Sequence, residues 1–144
     1  MRIELEKKGD GASVLRCTRP DGSVTYQRHE GKQGVFFPVH DLTHLAVESE
    51  LSSRKGFFSL VASGWDIEET TGKRARGPLP EGAIEVEKIV GLFDLERAGV
   101  ARWDAADLGL TEAEIDRVRR RLADLLARWE ALPVGAVLAV DFDL

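Results

Sequence analysis

Apolar and polar residues alternate with a period of two through the first third of the chain, and this pattern predicts antiparallel strands. Ile3 and Leu5 alternate with Glu4 and Glu6, Gly9-Asp10-Gly11 can reverse the chain, and Val14-Leu15-Arg16-Cys17-Thr18 resumes it. Pro20-Asp21-Gly22 follows, with Pro preset for a turn and Gly able to take a positive φ, and Val24-Thr25-Tyr26-Gln27 restores the alternation. Three N-terminal strands are therefore expected.

After Gly34 the period changes to that of a helix. Pro38 suits a first helical turn, where its missing N–H costs nothing, and predicts a helix from about Pro38 to Ser52. A second helix, from Phe57 to about Trp65, places Phe57, Leu60, Val61 and Trp65 on one face. The stretch from Asp66 to Pro80 runs from acidic to basic and reads as a loop. Pro80 opens a third helix to about Arg97, with an apolar stripe of Val86, Ile89, Val90 and Phe93 and with Gly91 suited to close packing.

The last helix has the clearest start. Thr111 and Glu114 fit a capping box, in which each side chain satisfies a free backbone N–H of the other, so the helix should run from about Glu112 to Ala131. Ile115, Val118, Leu122, Leu125, Trp129 and Leu132 recur at spacings of three and four and make one seam. Pro133 and Gly135 end it, and Ala136 to Phe142 is apolar enough for a buried strand. These elements predict an α+β fold: a small antiparallel sheet of three N-terminal strands and one C-terminal strand, with about four helices on one face. Its 144 residues suit a single domain, 1–144.

Composition narrows the classes. A net charge of −5 and a pI near 5.3 argue against general affinity for nucleic acid, and no apolar run approaches the roughly 20 residues that cross a bilayer. The charged, alternating start is unlike a secretory signal, and the single Cys17 cannot form an internal disulfide, so a cytoplasmic protein is expected. Arg117, Arg119, Arg120 and Arg121 are offset by Glu112, Glu114, Asp116 and Asp124 on the same helix, which favours a solvated face over a nucleic-acid contact.

Chemistry is concentrated in His40-Asp41-Leu42-Thr43-His44. Residues four apart on a helix lie nearly above one another, so His40 and His44 can aim two imidazoles at one point. That is a two-ligand geometry for a divalent metal, zinc or iron. At 1.5 Å per residue Glu48 lies about 12 Å along the axis from His40, too far to complete the set, so Asp41 and Glu48 are candidates for a general base or for support behind the ligands. The helix dipole at an N-terminal His40 would favour the neutral ring that a metal binds. The remaining ligand would come from Asp66, Glu68, Glu69 or His29. The competing reading is that both histidines are satisfied by hydrogen bonds in a core or at a cleft edge. The block also resembles the zincin signature, with Asp41 where the general-base glutamate would stand, but the carboxylate is shorter and no histidine follows His44.

Phe36-Phe37-Pro38-Val39-His40-Asp41-Leu42-Thr43-His44, with Gly64-Trp65-Asp66-Ile67-Glu68 and Gly77-Pro78-Leu79-Pro80, resembles a small family of uncharacterised bacterial proteins with no established activity. The resemblance covers most of the chain and implies a discrete domain, without a mechanism. Separately, Lys73, Arg74 and Arg76 in a glycine-flanked loop suit an anionic substrate. Two functions of different class follow. One is a metal-dependent enzyme, a hydrolase, using His40 and His44; the other is a non-catalytic binding or assembly protein that forms a homodimer through the last helix.

Overall fold

A computed structural model describes residues 1–52, 55–71, 76–100 and 105–143. Strands β1 (Arg2–Lys7), β2 (Ser13–Thr18), β3 (Val24–His29) and β4 (Val137–Asp141) form one antiparallel sheet in the order β3-β2-β1-β4. The α+β architecture expected from the sequence is the one observed. The turn at Pro20-Asp21-Gly22 closes the β2-β3 hairpin with Gly22 at φ 86°, and β4 pairs with β1 so that Ile3 faces Val140 and Leu5 faces Leu138. One face carries Ile3, Leu5, Leu15, Cys17, Thr25, His29 and Leu138, all buried, and the helices cover that face. Burial holds the Cys17 thiol near pKa 12, with the nearby Asp41 charge adding to the effect. No helix among the described residues is long and apolar enough to cross a membrane.

The described residues form five α-helices: α1 (Gly31–Glu50), α2 (Phe57–Ala62), α3 (Ile67–Thr70), α4 (Glu81–Arg97) and α5 (Glu112–Ala131), with a 3-10 turn at Ala105–Leu108. Two boundaries correct the sequence reading. Helix α1 begins seven residues before Pro38, opened by Gly31 at φ 58°, and the proline sits inside it. Pro38 costs α1 one hydrogen bond, the one to the Gly34 carbonyl, and tertiary packing outweighs that loss. Gly34 itself lies where a Cβ would meet the Gly11 and His29 carbonyls, so this early part of α1 is pressed against the sheet hairpin. Asp66 to Thr71 also holds a helical turn, α3, where a loop was expected; the Asp66 N–H donates to the Glu69 carboxylate at 2.7 Å in a capping box.

Helix α1 lies at the centre, touching α2, α4, α5, β2 and β3. Every residue from Asp41 to Glu48 is buried, so this stretch has no solvent face and brings Asp41, Thr43, His44 and Glu48 into the interior with Leu42, Leu45, Ala46 and Val47. Helix α5 starts at the capping box of Thr111 and Glu114, as its sequence dictates. Its seam residues Ile115, Val118, Leu122, Leu125 and Trp129 are buried in the chain's own core against α1. The homodimer expected through that seam finds no support, because the seam is already covered from within. Gly91 likewise has nothing within 4 Å of its missing Cβ, so it does not serve close packing.

Candidate metal centre

Four polar side chains of α1 are buried, and each buried polar group costs free energy unless it is partnered. Two of the partners, Glu87 and Asp94, come from α4. Thr43 places its hydroxyl 2.9 Å from both the Val39 carbonyl and Asp94 Oδ1. His40 Nδ1 lies 2.7 Å from the other Asp94 oxygen, and His44 Nε2 lies 3.1 Å from Glu87 Oε1. Glu87 and Asp94 are seven residues apart, two turns of α4, so they present carboxylates to two successive levels of α1.

Glu48 works along α1 and across to α2. Its Oε1 accepts hydrogen bonds from the Gly56 and Ser59 N–H groups at 3.0 Å each and from the Ser59 hydroxyl at 3.1 Å. Its Oε2 takes the Phe58 N–H at 3.2 Å and faces His44 Nδ1 at 3.4 Å. The carboxylate thus satisfies the free amides at the start of α2, which has no capping side chain at Gly56 itself. A Cβ on Gly56 would overlap Val86 and touch the Glu48 carboxylate, so glycine is required there for α2 to approach.

His40 and His44 meet edge to face with ring centroids 4.8 Å apart. Each ring turns Nδ1 toward a carboxylate, Asp94 for His40 and Glu48 for His44, which leaves Nε2 as the nitrogen for a ligand. One donor atom from each of His40, His44 and Glu87 lies within 4.8 Å of the other two, and these three residues can hold a metal ion. The Glu87 side chain is half exposed, and the His44 to Glu87 spacing of 3.1 Å is already close to the roughly 3.3 Å between donors around a tetrahedral zinc.

Electrostatics couple the set. Burial opposes the charged form of His44, but hydrogen bonds to Glu48 and Glu87 override it and push the pKa up to about 10. Burial also opposes ionisation of Glu87 and Asp94, yet His44 holds the first and His40, with Thr43 and Arg97, holds the second below the usual carboxylate range. Asp41 differs. Burial lifts its carboxyl to about 7, only partly offset by the two histidines, and no donor among the described residues reaches it. It lines a cleft of about 150 Å³ beside the imidazoles, walled by Phe37, Phe57, His29 and Gln27 and rimmed by Thr70 and Thr71.

Compared with protein-family profiles, curated proteins and solved structures, this chain matches none.

The structure joins His40, His44, Asp41 and Glu48 in one place. His40 is the tenth residue of α1 and not in its first turn, so the dipole argument for its neutral form does not apply; the Asp94 carboxylate orients the ring instead. The third carboxylate comes from α4, and the alternatives are engaged elsewhere. Asp66 pairs with Arg19 at 3.2 Å, Glu69 completes the α3 cap, and Glu68 lines a separate surface depression along β3 with Val24 and Tyr26. His29 stacks on Phe37, with centroids 4.1 Å apart, at the wall of the cleft. Lys73 and Arg74 fall outside the described residues. Arg76 lies over the Trp65 ring at 4.9 Å and donates to the Gly64 carbonyl at 3.0 Å, so this side chain anchors the segment to the α2-α3 junction. Glu87 and Asp94 escaped the sequence reading, because the apolar stripe of α4 drew attention and the two acids flank it. Their spacing of seven, two turns of one helix, is the signal that was available.

Proposed function

We propose that this protein is a metal-dependent enzyme whose ion is held by His40 Nε2, His44 Nε2 and the Glu87 carboxylate. The observation that carries the reading is the repeated arrangement behind the ligands: each imidazole is backed at Nδ1 by a buried or half-buried carboxylate, which fixes ring orientation and raises ligand basicity. A core histidine pair satisfied only by hydrogen bonds would not need a donor atom of each ring within 4.8 Å of a third carboxylate. Two histidines and one carboxylate leave coordination positions open to the cleft, which suits zinc-assisted hydrolysis and also accepts ferrous iron. Zinc bound in this way lowers the pKa of its water to about 7, so no separate base is required. Glu48, with its oxygens occupied by the α2 amides, acts as a positioning residue for His44. Asp94 does the same for His40.

The test is the metal content of untagged purified protein by elemental mass spectrometry, before and after incubation with zinc or ferrous iron. Near-stoichiometric metal in the wild type, lost in the double variant His40→Ala/His44→Ala and strongly reduced in Glu87→Gln, supports the centre. No uptake of any divalent ion by the folded wild type overturns it and leaves the histidines as hydrogen-bonded core residues.

A further inference from the structure

Asp41 is 7% exposed, yet no hydrogen bond to its carboxylate is made by any described residue, whereas Thr43, His44 and Glu48 on the same helix all have partners. A buried carboxylate without a donor is costly, and such groups are normally satisfied by protein, water or ligand. Here the carboxylate opens onto the cleft beside His40 and His44.

Two further features of the cleft agree on what would satisfy it. Asp41, Glu48, Glu87 and Asp94 place four carboxylates around two imidazoles, and no lysine or arginine lines the cleft among the described residues. A divalent ion would neutralise only part of that charge, so the site remains attractive to a cation. Phe37 and Phe57 supply aromatic walls, which favour a positively charged nitrogen over a neutral or negative group. The volume, about 150 Å³, is that of an engineered protein cavity that admits benzene.

We infer that the cleft is a substrate subsite for a small organic amine, with its protonated nitrogen donating to Asp41 and its apolar part between Phe37 and Phe57. As the substrate site of an enzyme this rests on the metal-centre reading; as a binding site it rests on Asp41 and the cleft. Arg76, of the cations that suggested an anionic substrate, is held at the Gly64 carbonyl and the Trp65 ring and does not line the cleft. In this subsite Asp41 binds and orients the amine beside His40 and His44.

Benzylamine, benzyl alcohol and benzoate share one ring and differ in charge, so they read the subsite directly. Each is titrated by calorimetry and by proton NMR into zinc-loaded and metal-free protein at neutral pH. Benzylamine is expected to bind at least tenfold more tightly than benzyl alcohol, with no binding of benzoate, and Asp41→Asn, an isosteric change, should remove that preference while zinc uptake persists. Zinc uptake with no preference for the amine, or with benzoate favoured, overturns the Asp41 assignment and leaves the metal centre standing. Amine preference without uptake of zinc, ferrous iron or any other divalent ion overturns the metal centre alone. A preference that survives Asp41→Asn also overturns the assignment, because it would then come from the aromatic walls or the other acids.

Discussion

Replacing Glu48 by glutamine keeps the shape of the side chain and removes its charge, and the structure gives the cost of that change. The Oε1 position accepts from Gly56, from the Ser59 amide and from the Ser59 hydroxyl, and an amide oxygen can keep all three. The Oε2 position becomes an NH₂ group facing the Phe58 N–H at 3.2 Å and His44 Nδ1 at 3.4 Å, so donor meets donor twice. Each hydrogen bond to a charged group contributes roughly 1.5–3 kcal/mol, and the longer His44 contact belongs at the low end, so Glu48→Gln should lose about 3 kcal/mol. For a chain of 144 residues that corresponds to a fall in Tm of about 10 °C. The assay is urea unfolding of the metal-free protein at pH 7, followed by far-ultraviolet circular dichroism, with a thermal melt alongside. In the same variant zinc affinity should fall about 10- to 100-fold, because His44 loses the group that orients its ring. A stability change below about 1 kcal/mol would refute the reasoning, since it would mean that Glu48 neither caps α2 nor holds His44.

Two other predictions follow from the same structure. Asp41, His44 and Cys17 all have folded-state pKa values raised above their ordinary ones, to about 7, 10 and 12. A raised group gives stability that is complete below its unfolded pKa and is lost as pH rises through its folded pKa, so metal-free protein should unfold at lower urea at pH 9 than at pH 6. The opposite contribution, from the lowered Glu87 and Asp94, is confined to acid pH, and a midpoint that rises or stays flat from pH 6 to 9 would count against an imidazolium held between Glu48 and Glu87. Two glycines should respond with opposite sign: Gly91→Ala, in open space inside α4, should stabilise by about 1 kcal/mol, whereas Gly56→Ala should destabilise by about 1–3 kcal/mol as its methyl meets Val86. Equal effects in parallel urea titrations would contradict the close approach of Gly56 to Val86.

The parts of this fold that were legible in the sequence are those set by neighbours along the chain. The alternation of Ile3 and Leu5 with glutamates, the Pro20-Asp21-Gly22 turn and the Thr111/Glu114 capping box each fix a local conformation, and the strands and α5 fall where these signals put them. The start of α1 was misplaced because Gly31, Gly34 and Pro38 each argue locally against a helix, and the close packing of Gly34 on the Gly11 turn is a contact no local pattern reveals. The candidate site was half legible for the same reason. His40 and His44 share one helix, so their spacing reveals their common face. Glu87 and Asp94 lie across a helix interface, and no periodicity within α4 says which residues of α1 it will meet. Asp41 could be placed beside the histidines from sequence, but its want of a donor is a property of the whole interior.

The three donor residues are divided between α1 and α4, with Glu87 43 positions after His44. An ion can be held by all three only while α4 is docked on α1, and by linkage the ion must favour docking as much as docking favours the ion. At an ion concentration about 100 times its dissociation constant, the docked arrangement gains about 2.7 kcal/mol. A bound ion would thus make its own supply a setting on how many molecules have α4 docked, and the cleft walls carried by α1 and α2 would share in that setting through Glu48.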